Sequence, residues 1–184
     1  YCVQCRTAFH NDRPLDEFGR CRACRLGVRG FDAAYSFGEY GGGLRKLIHL
    51  YKFRGVTTLE RPLSQWLAVA LPRDERADLI VPVPLHWWRR WRRGYDQAWR
   101  LTRALSRRTG IPCGQALRRK RRTRPQTSLT RAERRLNVKG AFEVAHPELV
   151  AGKTILLVDD VYTTGSTLGE CAKSLRAAGA RRVV

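Results

Sequence analysis

The chain has 184 residues and 43% hydrophobic content, enough for one buried core and a small additional module. It carries 36 Lys and Arg against 16 Asp and Glu, a formal net charge of +20, which indicates a polyanionic partner or, alternatively, an arginine-rich solubilising surface. The 9% aromatic content argues against disorder, and apolar stretches such as 66–71 are too short to span a bilayer. With no signal peptide, we expect a cytoplasmic protein. Its start at Tyr1 and its strand-like last residues, RRVV, predict that both ends are trimmed.

Four cysteines near the N-terminus form two CxxC pairs separated by 15 residues. They are Cys2, Cys5, Cys21 and Cys24. This spacing is typical of a structural four-cysteine zinc site, whereas the alternative, disulfide bonds, requires an oxidising compartment. We therefore predict that residues 1–28 form a zinc-ribbon-like module that needs its metal to fold. The other two cysteines, Cys113 and Cys171, stand among apolar residues and are predicted to be ordinary buried thiols.

The elements predicted after this module begin with FDAAYSFGEY (31–40), whose aromatic and roughly alternating pattern predicts a strand or hairpin. The GGG at 41–43 ends it. Apolar residues at helical spacing then predict two helices, one at about 44–51 and one at about 59–70.

Strands and helices alternate from about residue 77 onward. Short apolar runs predict strands at 78–84, 113–117, 141–144, 154–158 and 181–184. Helices are predicted from Gly94 to Gly110 and from about 168 to Gly179, and Thr130 with Glu133 predicts a capping box. This alternation favours a mainly parallel α/β sheet flanked by helices, in which ligands bind beyond the carboxyl ends of the strands.

The predicted strand 154–158 runs into two adjacent acids, Asp159 and Asp160. Adjacent carboxylates repel each other and are costly at the end of a buried strand, so they indicate a ligand. A loop of hydroxyls and one glycine follows and precedes a helix, which is a typical anion cradle. The loop residues are Thr163, Thr164, Gly165, Ser166 and Thr167. A sugar 5-phosphate fits this pattern, since carboxylates accept hydrogen bonds from ribose hydroxyls; an N-capped helix without a ligand is the alternative.

The stretch ILLVDDVYTTGST (155–167) closely resembles the phosphoribosyl-pyrophosphate motif of type I phosphoribosyltransferases. The whole chain resembles the ComF family, which joins a cysteine-knuckle zinc module to such a domain. The match includes the segments GLRKLIHLYKFRG, VPVPLHWWRRWRRGYDQA and PQTSLTRAERRLNVKGAF, although Asp96 stands where relatives often have Asn. The resemblance implies a type I phosphoribosyltransferase-like domain at 29–184, with 31–76 as a hood that selects the nucleophile and 77–184 as the core.

The resemblance also implies roles for individual residues. Asp159 and Asp160 would bind the ribose hydroxyls and steady positive charge on the sugar in the transition state, and residues 163–167 would hold the 5-phosphate. The residues expected to bind pyrophosphate are Pro84, Leu85, His86 and Arg131. The arginine-rich stretch 124–135 would be a mobile loop that closes over the site. Mg²⁺ would accompany phosphoribosyl pyrophosphate, and both aspartates would stay ionised beside so much positive charge.

Residues 86–135 hold 17 Lys and Arg against two acids, a local net charge of +15. Within HWWRRWRR (86–93), Trp91 is predicted to stack on bases of single-stranded DNA, with core or interface packing as the alternative. The arginines predicted to bind its phosphates are Arg89, Arg90, Arg92 and Arg93. His86, beside two tryptophans, is either an acid–base group or a structural residue.

Two functions follow. The first is a phosphoribosyltransferase that uses Mg²⁺ and phosphoribosyl pyrophosphate on an unidentified nucleophile and is linked to DNA uptake, because the family is associated with natural competence. The second is a non-enzymatic component of DNA uptake that binds single-stranded DNA, works with other competence proteins, and keeps the fold as a scaffold or ligand sensor.

Overall fold

The computed structural model describes residues 2–4, 15–25, 30–85, 94–121, 123 and 130–184. The helices are α1 (Arg22–Arg25), α2 (Gly42–Phe53), α3 (Glu60–Ala70), α4 (Gln97–Thr109), α5 (Arg131–Val138) and α6 (Ser166–Ala177). The strands are β1 (Leu79–Pro82), β2 (Leu117–Arg119), β3 (Phe142–Val144), β4 (Thr154–Val158) and β5 (Arg182–Val183). Within this described part of the chain, no helix is both long enough and apolar enough to cross a membrane.

A parallel sheet in the order β1-β4-β5 forms the centre of the molecule. Leu79 pairs with Ile155 at one end of the β1–β4 register, and Pro82 pairs with Val158 at the other. A parallel bridge between Ile80 and Cys113 extends the sheet beyond β1. β2 and β3 form a separate antiparallel pair. The predicted parallel sheet flanked by helices is therefore confirmed, and the strand predicted at 113–117 is replaced by this bridge and by β2.

The two faces of the sheet bury different sets of helices, because successive strand side chains point to opposite sides. Ile80 and Leu156 pack with residues of α2, α3 and α4. Val81 and Leu157 pack with α6, with the β2–β3 pair and with the N-terminal cysteines. The sheet is thus covered on both sides, and its carboxyl edge remains available to a ligand.

Several helices begin or end at a residue that caps them. Asp96 caps α4 by accepting a hydrogen bond from the Trp99 amide at 3.0 Å, and Gly110 ends that helix in a left-handed conformation (φ 74°). The predicted capping box of α5 is present, with Thr130 and Glu133 bonded reciprocally.

The prediction of a strand or hairpin at 31–40 is wrong, since none of these residues, all of which the structure describes, is in a strand. The Asp32 amide donates to the Val183 carbonyl at 2.8 Å, as a neighbouring strand would. The Asp32 carboxylate, however, accepts the Val183 amide at 2.8 Å and so ends backbone pairing. The aromatic residues instead pack: the Phe37 ring stacks on Trp66 with centroids 4.9 Å apart.

Candidate functional site

A cavity of about 290 Å³ opens at the carboxyl ends of β1 and β4. One side of it, here called the phosphate wall, consists of its lining residues within 159–168. The opposite side, here called the α2 wall, consists of Tyr40, His49, Lys52 and Phe53. Pro84 and Leu85, both predicted to bind pyrophosphate, lie between them after β1.

The loop at the start of α6 has the backbone of an anion site. Gly165 is the N-cap residue at φ 72°, and no side chain caps the helix. A Cβ at Gly165 would also approach the Tyr162 hydroxyl to 3.0 Å, so the conformation and the tight space both favour glycine. The uncapped helix terminus points positive partial charge toward the cavity.

Four of the five predicted loop residues line this cavity, and Thr164 does not. The Thr164 hydroxyl lies 2.8 Å from the Ser166 hydroxyl and accepts the Ser166 amide at 3.4 Å. Its contacts therefore shape the turn from outside the cavity.

Asp160 is held by two residues that the sequence did not single out. Lys52 Nζ lies 2.8 Å from Asp160 Oδ1, and the Asp160 side chain is 6% exposed. Gln97 Nε2 donates to Asp160 Oδ2 at 3.5 Å. Lys52 is separated from Asp160 by 108 residues, so no local pattern connects them. Gln97 is the last residue of RGYDQ, within a segment that carries the family resemblance, but no role was predicted for it.

Asp159 does not behave as the sequence predicted. Burial, together with the adjacent Asp160 carboxylate, raises the pKa of its carboxyl to about 7, although Lys52 opposes the shift. The expectation that Asp159 stays fully ionised is therefore wrong, because desolvation outweighs the attraction of the nearest cation. Close to neutral pH, Asp159 is poised to hold or release a proton.

Arginines approach the cavity from the β2–β3 side. Arg119 and Arg134 both line it, and the Arg119 guanidinium lies over the Phe142 ring, 5.1 Å from its centroid. Arg134 belongs to α5, so the described end of the stretch predicted as a mobile loop is helical. Of the other predicted pyrophosphate residues, His86 and the Arg131 side chain lie outside the described part of the structure.

The α2 wall is mainly aromatic and lies within 31–76, the segment expected to form the hood, but none of its residues was predicted individually as a site residue. The His49 and Phe53 rings contact each other with centroids 5.0 Å apart, and Phe53 is 57% exposed. Helical periodicity in this segment predicted α2 itself, but it marked Ile48 and Tyr51 as core and gave no signal for the residues facing the cavity.

The N-terminal cysteines converge as the CxxC spacing predicts. The sulfur atoms of Cys2, Cys21 and Cys24 lie within 4.8 Å of one another, and Cys5 lies outside the described residues. The Cys21 amide donates to the Cys2 sulfur at 3.3 Å, a contact that favours a thiolate. These residues could therefore hold a metal ion, and a tetrahedral zinc site with bonds of about 2.3 Å requires sulfurs about 3.8 Å apart.

The residues predicted to contact nucleic acid, 89–93, lie outside the described part of the structure. Part of the surrounding positive charge forms ion pairs within the fold. Arg100 and Arg107 of α4 lie 2.7 Å and 3.5 Å from the Glu60 carboxylate. These two arginines support α3–α4 packing.

Cys171 is fully buried as predicted, and burial raises the pKa of its thiol well above the usual range. Cys113 is partly exposed, at the bridge to Ile80, so it is less buried than predicted. The high thiol pKa makes Cys171 a poor nucleophile.

Comparison with known proteins identifies the domain. The phosphoribosyl transferase domain family matches residues 93–184. Among solved structures, the glutamine phosphoribosylpyrophosphate amidotransferase from B. subtilis has a TM-score of 0.48 and 23% identity, covering 70% of this chain and 25% of that chain. This chain thus spans about a quarter of the length of that enzyme.

Curated relatives match nearly the whole chain. Competence protein F of Haemophilus influenzae is 36% identical, covering 99% of this chain and 93% of the relative. DNA utilization protein YhgH of Escherichia coli K12 is 34% identical, covering 99% and 80%. Competence protein ComFC of Streptococcus pneumoniae is 30% identical, covering 89% and 72%. With such identity along its length and the matched domain in its C-terminal half, the chain belongs to the ComF family of phosphoribosyl transferase-domain proteins.

Proposed function

We propose that this protein binds phosphoribosyl pyrophosphate with Mg²⁺ in the cavity at the end of β4 and transfers the phosphoribosyl group to a nucleophile during DNA uptake. One observation carries the proposal: the Asp159–Asp160 pair and the uncapped N-terminus of α6 line the same cavity. One end suits sugar hydroxyls and the other suits a phosphate.

The charge on the cavity walls supports a diphosphate at the remaining side. Arg119 and Arg134 bring permanent positive charge to the cavity lining. A leaving pyrophosphate needs such neutralisation as its charge develops. Mg²⁺, when bound to the phosphate oxygens, supplies further neutralisation, and carboxylate oxygens in the cavity are ligands of the kind it accepts.

The transfer breaks the bond between C1 of the ribose and the pyrophosphate oxygen, and the electron pair leaves with pyrophosphate. A lone pair of the nucleophile forms the new bond to C1, and its proton passes to a cavity carboxylate or to solvent. The Asp159 pKa of about 7 suits that carboxylate to proton transfer near neutral pH. Negative charge on Asp160 stabilises a cationic sugar in the transition state.

The link to DNA uptake is supported by the relatives, which carry the names competence protein and DNA utilization protein. The strong positive charge of the chain agrees with a nucleic-acid partner.

Calorimetry with phosphoribosyl pyrophosphate and Mg²⁺ tests the ligand. We expect saturable binding that raises the melting temperature, because the ligand binds only the folded state, and weaker binding of ribose 5-phosphate. No heat and no stabilisation at millimolar donor would rule out this function. Where binding occurs, pyrophosphate release on addition of candidate nucleophiles tests transfer.

The second candidate is a non-enzymatic protein that binds single-stranded DNA, favoured by the local net charge of +15 in 86–135. Replacing Arg89 and Arg90, or Arg92 and Arg93, with Ala should weaken binding and flatten its salt dependence. Arg73→Ala with Arg76→Ala, at exposed positions before β1, removes equal charge as a control. DNA binding without any response to the donor would favour this candidate, and equal loss in the control would show nonspecific attraction.

A further inference from the structure

Lys52 is the residue of the α2 wall that contacts Asp160. It belongs to the last turn of α2, and its side chain is 23% exposed, whereas that of Asp160 is 6% exposed. Both side chains line the cavity. The 2.8 Å contact therefore joins the helix across the cavity to the residue proposed to bind ribose.

Both carboxylate oxygens of Asp160 are already engaged by the protein. Lys52 donates to Oδ1 and Gln97 to Oδ2. Each oxygen can accept a second hydrogen bond, but the Asp160 side chain is 6% exposed, so a sugar hydroxyl reaches it only through space that one of these donors now fills. Gln97 is 3% exposed at the start of α4, so Lys52, with its flexible stem and partial exposure, is the donor that can leave.

The backbone beside Lys52 is anchored. Lys52 can therefore leave Asp160 by movement of its own side chain, without movement of helix α2. The Tyr51 hydroxyl, fully buried, donates to the Gln97 carbonyl at 2.9 Å and ties α2 to α4. Gln97 Oε1, also buried, accepts no hydrogen bond from the described residues. Within that part of the chain, this oxygen beside Asp160 keeps its capacity to accept a hydrogen bond.

We propose that Lys52 is a specificity-determining residue that exchanges its partner on ligand binding, leaving Asp160 for the sugar and pairing with the ligand's pyrophosphate. This inference rests on the proposed function. A ligand with both sugar hydroxyls and a diphosphate restores an ion pair to Lys52, whereas ribose 5-phosphate displaces Lys52 without offering the diphosphate. Lys52 thus favours the activated donor over its hydrolysis product.

Calorimetric titrations of phosphoribosyl pyrophosphate with Mg²⁺ and of ribose 5-phosphate test this exchange. Lys52→Met should weaken donor binding and leave ribose 5-phosphate binding unchanged or tighter, so that the preference for the donor falls about tenfold or more. Lys52→Arg, which keeps the charge, should retain most of the preference. Lys46→Met, an exposed lysine of α2 that does not line the cavity, makes the same charge change as the matched control.

Each outcome decides a different point. A preference unchanged in Lys52→Met, or lowered equally in Lys46→Met, would overturn the role of Lys52 while the proposed function stands. Wild-type protein that binds neither compound would overturn the proposed function, and this inference with it. Thermal melting of each variant shows whether the protein is folded, and retained preference in Lys52→Arg separates loss of charge from loss of fold.

Discussion

The phosphate wall comes from one continuous stretch, residues 159–168, whereas the α2 wall gathers Tyr40, His49, Lys52 and Phe53 from a helix and the segment before it. The phosphate wall consists mainly of backbone and short side chains fixed between β4 and α6. The α2 wall consists of long side chains, with His49 and Phe53 exposed. Rigid backbone donors suit an invariant phosphate, and adaptable side chains suit a variable partner. We therefore expect the phosphate wall to hold the donor's sugar phosphate and the aromatic residues of the α2 wall to choose what reacts with it.

Replacing Gly165 with Val should have the largest effect on donor binding. The left-handed φ of 72° strains any side chain, and a Cβ would approach the Tyr162 hydroxyl to 3.0 Å, so the cradle should deform. We expect donor affinity to fall at least about 100-fold, as when a positioning element moves by an ångström. Gly152→Val is the matched control, because Gly152 also has φ 72° but has open space around it. It should lose stability and keep binding; equal loss of binding in both variants would contradict the cradle.

Loss of the cysteine site should disturb the phosphate wall more than the α2 wall, since Cys2 and Cys21 share a buried cluster with Cys171 of α6. We predict about one zinc per chain, and we expect Cys21→Ser to remove it and to lower the free energy of unfolding by about 3 kcal/mol or more. Elemental analysis, chemical denaturation and hydrogen exchange measure these effects. Cys113→Ser, outside the cluster, is the control. Full stability without metal would contradict the prediction.

Neutralising the acids should separate binding from chemistry on the phosphate wall. Asp159→Asn with Asp160→Asn keeps the shape and removes the charge that favours a cationic sugar. We expect donor affinity to fall about tenfold and the rate of pyrophosphate release about 1,000-fold, because the charge matters most in the transition state. Asp74→Asn, at an exposed loop position, should change neither quantity. A release rate that falls no more than affinity does would remove the proposed role of this pair in catalysis.

The pH dependence of stability should show the smallest effect. The raised pKa of Asp159 means that the folded state binds more protons than the unfolded state between about pH 4 and pH 7. The contribution of Asp159 to the stability of the folded state is complete below about pH 4 and is lost as the pH rises through about 7. At pH 8, Asp159→Asn should therefore have a free energy of unfolding about 2 kcal/mol higher than wild type. This gain is half of the free energy that corresponds to the full pKa shift, because water reaches the cavity and reduces the cost of the charge. Denaturation curves at pH 5 and pH 8 measure this difference, and equal gains at both would contradict it.

The two walls also differ in how far the sequence predicts them. Residues 159–167 were predicted as a ligand-binding unit, because an apolar strand, two acids and a glycine loop follow one another directly. Gly110 and the Thr130–Glu133 capping box predicted helix ends for the same reason, since these bonds join residues a few positions apart. Residues 31–40 show the limit of local pattern: alternation predicted a strand, but the Asp32 side chain takes the place of backbone pairing.

The order of strands and helices, the phosphate loop and the convergence of Cys2, Cys21 and Cys24 can be predicted from the chain alone, because each depends on spacing along it. The packing of distant elements is what brings Lys52 and Gln97 to Asp160, places Arg134 in the cavity lining and makes Asp159 titrate near neutral pH. Contacts between residues 108 positions apart follow from how helix faces pack on the sheet, and a pKa follows from the water that packing excludes.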